Sequence, residues 1–479
     1  MPWPALPIED LPAWAHLNGV SFNKIKVTST EGKGYGVVSE TDLSTVDTSP
    51  DTPALLTVPH DLVLNAAAVD EYAKEDKNFR QLLDAVGHRS GRADVLLFLL
   101  VQTALASRYG NPSVGVSNPW TKYLQFLPET VLVPTLWTED ERILLQGTSL
   151  EAAVNAKISA LDAEFAVVRE RSSAVACWRE LLWVAGLVSF TDWIRLDALY
   201  RSRCLELPRS GECMVPCIDM INHSATPSAY YEENLRDEVV LLLRPGVSIS
   251  NGDEITISYG NDKSAAEMLF SYGFIDPQLT ADELVLPLSP FPDDPLAKAK
   301  LVAFGQAPQI RVARGDGGSI RWQSEFAYLM CANEEDGVEF RILQDNDGGR
   351  QLRVFWQDED VTDRATGFET LIRSHPLAAV LQLRVVTVVQ EQLQTQLERL
   401  RSRTFPDQAD PMQREDCFKA ALLLRQVEAK ILESAIEALE KERSTLLKDR
   451  NVVAYLGLME HAESDLAGEE AANEADDFS

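Results

Sequence analysis

Two tyrosine-glycine pairs, Tyr259-Gly260 and Tyr272-Gly273-Phe274, follow an Asn222-His223 pair, and Ser202-Arg203 precedes them all. Near the start of the chain stands Gly34-Tyr35-Gly36, behind Lys33. These residue types suit positioning more than proton abstraction. A phenol hydroxyl orients or polarises an acceptor without acting as a full base, a guanidinium fork suits a carboxylate, and glycines let backbone groups come close to a ligand. Each has a plain structural alternative: a hairpin turn, an Asn-His turn satisfied locally, a surface ion pair, or an aromatic ring packed at a strand end. Asp219 could equally cap a helix or a turn. Of the six cysteines, Cys204, Cys213 and Cys217 lie close together, but no paired CxxC or histidine spacing follows, so no metal site is expected.

The elements that must position these groups alternate in type. Ile25 and Val27 alternate with polar neighbours before Gly32-Lys33-Gly34-Tyr35-Gly36 and Val37-Val38, the pattern of a hairpin. From Arg92 to Tyr200 the periodicity is helical, with helices expected over Asp94 to Tyr109, Thr138 to Gln146 and Leu150 to Val168. Strand patterns return after Pro208: Val239 to Leu243 is a β-rich run, and Ile255, Ile257 and Tyr259 alternate with Glu254, Thr256 and Ser258. Past Pro277 the pattern is mostly helical, with an apolar stripe of Leu424, Val427, Ile431, Ala435 and Ala438 on a helix from Arg414 to Lys448. A β-hairpin is expected between Val338 and Trp356.

The net charge of −30 would repel phosphate backbones and favours a basic protein partner over nucleic acid. The stretch from Glu460 to Ser479 is acidic, has no Lys or Arg, and is too poor in apolar residues to fold. Scattered cysteines fit reduced thiols of an intracellular protein. With no secretory pattern at Met1-Pro2-Trp3-Pro4 and no membrane-length apolar run, the expectation is a cytoplasmic or nuclear chain with no membrane partner, acting as a monomer.

The blocks Ser202-Arg203-Cys204, Met214 to Ser224, Gly252 to Gly260 and Leu269 to Phe274 resemble, in order and spacing, the catalytic half of SET-domain protein methyltransferases. Pro119-Trp120-Thr121-Lys122-Tyr123-Leu124-Gln125-Phe126-Leu127-Pro128 is similar to a signature in the helical insert of one subgroup, the Rubisco large-subunit methyltransferase type. The resemblance implies an α+β fold with a mostly β SET core, divided as 1–91 (first part of the SET domain), 92–200 (helical insert), 201–288 (catalytic core), 289–459 (helical substrate-binding domain) and 460–479 (acidic tail). It further implies S-adenosyl-L-methionine as cofactor, held by Lys33, Gly34, Tyr35, Gly36, Ser202, Arg203, Asp219, Asn222, His223 and Tyr259. Tyr259 and Tyr272 would be catalytic, and Leu205, Tyr272 and Phe274 would line the acceptor channel.

The activity implied is lysine N-methylation of a non-histone protein. Leu205 stands where the actin-histidine branch of the group carries a polar amide, and an apolar residue there suits the methylene stem of lysine. Two alternatives stay open at this level: histidine methylation, and a SET-derived scaffold that has lost catalysis.

Overall fold

The computed structural model describes residues 3–45, 53–107, 116–184, 186, 188–260, 262–276, 278, 283–315, 318–344, 349–402 and 413–457; the acidic stretch 460–479 lies outside them. The chain divides into two compact units. The first comprises 1–144, 150–280 and 408–421; the second comprises 145–149, 281–407 and 422–479.

In the first unit the β-structure is assembled from chain segments far apart in sequence. Strands Ile25–Thr30 and Gly34–Ser39 form the expected hairpin, closed at Gly34 by a φ of +77°, a conformation open to glycine. The inner strand pairs on its other edge with Glu254–Ile255, Val37 opposite Ile255 and Val38 opposite Glu254. Likewise Leu56–Val58 pairs with Val239–Leu243. Val37, Leu56, Val239, Leu241 and Ile255 are all fully buried, so the apolar faces of the two halves of a split core close on one another.

Between the halves runs the helical insert. Its helix Gly91–Ala106, capped by Ser90, is apolar on every face from Val95 to Val101, and that run is buried without a break, as an all-apolar stretch must be. Asn118 and Thr121 form a capping box that starts the helix Pro119–Tyr123. The expected helix over Thr138 to Gln146 is instead one turn, Glu139–Arg142, followed by a 3-10 turn, Ile143–Leu145. Gly147, with φ +80°, bars continuation. The next helix, Leu150–Ser172, runs a turn beyond its expected end.

The second unit is more mixed than its sequence pattern. Before any long helix it forms an antiparallel sheet of Glu283–Pro287, Gln309–Arg314 and Ile320–Gln323. Residues 283–287 are thus hydrogen-bonded into this unit. The hairpin Val338–Gln344 with Arg350–Trp356 forms as the pattern predicts. Helix Ala378–Ser402 and the part of helix Glu415–Leu446 from Leu422 onward supply the long elements. Phe326, Val338, Phe368, Leu381, Val385, Ile431 and Leu439 make its core. Among the described residues no helix is long and apolar enough to cross a membrane.

Candidate active site

Helix Phe190–Arg203, begun by a Ser189–Asp192 capping box, ends where its last residues Ser202 and Arg203 meet the hairpin Cys204–Leu207 with Gly211–Met214. That junction forms one wall of a cavity of about 480 Å³. Ser202, Arg203, Leu205, Asp219, Tyr259 and Tyr272 all line it. Lys33, Gly34, Tyr35, Gly36, Asn222, His223 and Phe274 do not line it.

Residues 222 to 224 act as a brace for the strand that carries Tyr259. Ile257 donates its N–H to Asn222 O (3.0 Å) and receives Ser224 N–H on its own carbonyl (3.1 Å), giving a parallel bridge between His223 and Ile257. The alternation seen at Ile255, Ile257 and Tyr259 therefore continues past the two-residue strand Glu254–Ile255, but its hydrogen bonds go to this segment. His223 accepts the Tyr259 N–H at Nδ1 (3.1 Å), which places the ring proton on Nε2, 3.3 Å from Asp276. Burial pushes the imidazole pKa down, and Asp276 only partly opposes it. His223 is a neutral strut fixing the backbone of Tyr259.

Asn222 faces the glycine hairpin. Its side-chain amide donates to Glu254 Oε1 (2.7 Å), Tyr35 O (3.3 Å) and Thr30 Oγ1 (3.4 Å). A Cβ on Gly36 would come within 2.8 Å of that amide and of Thr30 Cγ2. Gly36 is thus required for the close approach of Asn222. Lys33 reaches the same Glu254 through an ion pair of 2.7 Å.

Tyr259 donates its hydroxyl to Ile221 O (2.8 Å), and Tyr272 donates to Tyr259 O (3.3 Å). Their ring centroids are 4.7 Å apart, with Phe274 6.4 Å from each. Burial raises both phenol pKa values, that of Tyr272 to about 12 and that of Tyr259 further, against the pull of Arg203. Both stay protonated at neutral pH. Tyr272 ends the helix Ala265–Tyr272 and not a strand, and Gly273 is its left-handed C-cap, φ +84°. A Cβ there would strike Leu132 at 2.7 Å, which accounts for that glycine without any ligand.

Deeper in, Arg203 Nη1 donates to Asp219 O (2.6 Å) and lies 3.8 Å from Asp219 Oδ2. Both side chains retain a buried polar atom with no hydrogen-bond partner, Nε on Arg203 and Oδ2 on Asp219. Burial lifts the Asp219 carboxyl to about 6, while Arg203 and a hydrogen bond from Tyr123 hold it lower than burial alone would.

The sequence reading had no role for several residues found here. Ile218, Ile221 and Ile257 supply apolar wall, and Lys263 stands over the Tyr272 ring at 5.9 Å. Glu206 and Glu212, exposed and also lining the cavity, sit directly opposite each other across the hairpin. Like charges in that arrangement repel. Only strand register brings them together, so periodicity offered no signal. Tyr123 belongs to the Trp-Tyr-Leu-Pro segment noted above. Among the described residues there is no cluster of three or more His, Cys, Asp or Glu placed to hold a metal.

No family model matches the chain. It is 26% identical over 428 residues to "SET domain-containing protein 8" of Schizosaccharomyces pombe, covering 86% of this chain and 93% of that protein. It is 27% identical over 317 residues to the chloroplastic Rubisco large-subunit N-methyltransferase of Pisum sativum, covering 61% of this chain and 57% of that enzyme. A crystal structure of the SET domain of Rubisco large-subunit methyltransferase, bound to lysine and AdoHcy, superposes with a TM-score of 0.66 at 20% identity, over 92% of this chain and 95% of that one. The chain is thus similar, over most of its length, to a SET-domain protein and in part to a Rubisco large-subunit methyltransferase, and it shares the fold of the solved SET domain.

Proposed function

We propose that this protein is an S-adenosylmethionine-dependent lysine N-methyltransferase acting on a non-histone protein. The observation that carries the reading is a partly exposed cation in the cavity wall, Arg203, with one buried nitrogen lacking a hydrogen-bond partner, beside two paired tyrosines. Buried polar atoms are rarely left unpaired, and a guanidinium fork fits a ligand end that bears a carboxylate. The methionine end of S-adenosylmethionine has one. Relatives named as lysine N-methyltransferases and a fold neighbour holding lysine and AdoHcy support the same assignment.

When bound, the cofactor supplies a sulfonium methyl group, the electrophile of an in-line displacement. The chain must then orient an amine and keep water out. Arg203 would hold the amino-acid end, with Asp219, whose carbonyl accepts from Arg203, supporting it from behind. Tyr259 and Tyr272, protonated and hydrogen-bonded to main chain, are arranged to orient the amine with their oxygens and to wall the passage with their rings. A lysine amine has an ordinary pKa near ~10.4, and a passage lined by aromatic and aliphatic side chains disfavours the charged form. Leu205 and Ile257 suit the methylene stem. Lys33, Gly34, Tyr35, Gly36, Asn222, His223 and Phe274 stay in the proposed site as its frame and as contacts for the rest of the cofactor.

The acidic chain and the Glu206–Glu212 pair favour a basic protein substrate. The second unit holds none of the cavity-lining residues and is assigned to recognition of that substrate. Action as a monomer, in cytosol or nucleus, belongs to the same reading. The test is incubation with methyl-labelled S-adenosylmethionine and an extract of methylation-depleted cells, followed by sequencing of the labelled peptide. Label on lysine of a basic protein is expected; label on histidine, or cofactor binding with no transfer to any protein, refutes it.

A further inference from the structure

The helix Ala265–Tyr272 carries Tyr272 as its last residue, and its two ends are held differently. A capping box of Ser264 and Glu267 fixes the start from within the segment. At the other end the last carbonyls have no donor further along the helix, and the one on Phe270 is taken by Arg201 Nη1 from 69 residues away. Arg201 Cζ also lies over the Phe270 ring, 4.4 Å from its centroid. Its other terminal nitrogen, Nη2, donates to Thr135 Oγ1 (3.0 Å) and Asp197 Oδ2 (3.3 Å). The Asp197 side chain is wholly buried and meets Lys157 (3.0 Å) and Arg92 (2.5 Å) as well, and Arg92 pairs in turn with Glu164 (3.2 Å). Burial works against an ionised carboxyl here, yet the three cations outweigh it and hold Asp197 below the usual carboxylate range. Arg92, Thr135 and Lys157 sit on the insert elements Gly91–Ala106, Pro134–Leu136 and Leu150–Ser172. The bond from Tyr272 itself to Tyr259 O, at 3.3 Å, is a weak anchor for the helix end.

We propose that Arg201 is a positioning residue for the acceptor channel: it clamps the C-terminal end of the helix Ala265–Tyr272 to the ion cluster of the insert and so sets where Tyr272 stands against Tyr259. The inference rests on the assignment of Tyr272 to the methyl-transfer site above. The clamp requires arginine. A planar guanidinium can stack on one ring while its two ends bond in different directions, and a lysine ammonium has neither the plane nor the fork. The insert thereby takes part in the chemistry, although within this clamp only Arg201 and Tyr272 line the cavity. Displacing a group that orients a reactant by about 1 Å can cost on the order of 100-fold in rate.

The experiment places 3-fluorotyrosine at position 272 of the full chain, where its fluorine signal reports the surroundings of the ring with no ligand present. Arg201→Lys keeps a cation for Asp197 and loses the fork to Phe270 O. It shifts or broadens the line from position 272 and leaves unmoved the line of the same label at Tyr72, which packs on Phe98 of the insert. In unlabelled protein, transfer from methyl-labelled S-adenosylmethionine to an extract of methylation-depleted cells falls about 10-fold, while cofactor affinity by calorimetry changes less than about 2-fold. Thr135→Val, close in shape and outside the cavity lining, removes one anchor of Arg201 and gives smaller changes in the same direction. It keeps the test open if Arg201→Lys does not fold. A line at position 272 or a transfer rate indifferent to both variants overturns the positioning role and leaves the methyltransferase reading standing. A matching shift at Tyr72, or a matching loss of cofactor affinity, does the same. Failure of the wild type to bind S-adenosylmethionine and transfer its methyl group overturns both.

Discussion

Asp219 in the first unit and Glu428 in the second are both buried carboxylates whose pKa is pushed up by burial, to about 6 and about 7. Their hydrogen bonding differs. Both oxygens of Glu428 are satisfied by Ser149, whose N–H lies 3.2 and 3.1 Å from them and whose hydroxyl donates at 2.5 Å. Asp219 has one oxygen taken by Tyr123 and the other buried without a hydrogen-bond partner, 3.8 Å from the cavity-lining Arg203. A perturbed pKa is common to structural and functional carboxylates. An unsatisfied acceptor behind a cavity-lining cation is what separates the two.

The sharpest way to break this contrast is to alter the chemistry of the cavity in the first unit. Tyr259→Phe deletes the hydroxyl that bonds Ile221 O and should cut turnover about 10- to 1,000-fold. S-adenosylmethionine affinity, read by calorimetry, should move by less than about 1 kcal/mol. Unchanged turnover on the native substrate would remove Tyr259 from the mechanism.

On the closed side, Glu428→Gln should affect stability and leave catalysis alone. A carboxyl whose pKa is higher folded than unfolded favours the fold below its unfolded value of 4.5 and loses that contribution as pH rises through about 7. The loss is on the order of 3 kcal/mol. Unfolding by denaturant at pH 5 and pH 8 should show a pH dependence in the wild type that the glutamine variant lacks, with cofactor affinity equal in the two. A change in cofactor affinity would place Glu428 in the functional machinery.

Asn222→Ala sharpens the comparison from the frame around the cavity. Its amide ties Glu254 and the glycine hairpin to the brace that holds Tyr259, so its loss should weaken S-adenosylmethionine binding by about 1 to 3 kcal/mol. Calorimetry with equal affinity in variant and wild type would confine Asn222 to the hairpin.

The smallest effect is expected at the exposed carboxylates. Glu206→Gln and Glu212→Gln should raise KM for a basic substrate a few-fold at low salt, with kcat unchanged and the difference shrinking as salt screens it. A kcat change without a KM change would contradict the electrostatic role.

Much of this was legible in the chain because it is governed by local rules. Alternation over two residues marks the hairpin from Ile25 to Ser39 and the strand Val239–Leu243, and three- and four-residue spacing marks the helix Glu415–Leu446. The order of the sequence blocks pointed to one cavity for Ser202, Arg203, Leu205, Asp219, Tyr259 and Tyr272 without coordinates.

What tertiary structure alone decided is where the hydrogen bonds go. Ile257 follows a strand pattern, yet its partners are Asn222 and Ser224. Gly36 and Gly273 invite a ligand-based reading, yet each makes room for a neighbour, the Asn222 amide and the Leu132 backbone. The Tyr123 hydroxyl bonds Asp219 across 96 residues, and Glu206 meets Glu212 only through strand register. Periodicity reports which face of an element is apolar, because burial depends on neighbours a few residues away. It says nothing of which distant polar group satisfies a buried donor or acceptor, and the unpartnered oxygen of Asp219 is evident only once all the other partners have been assigned.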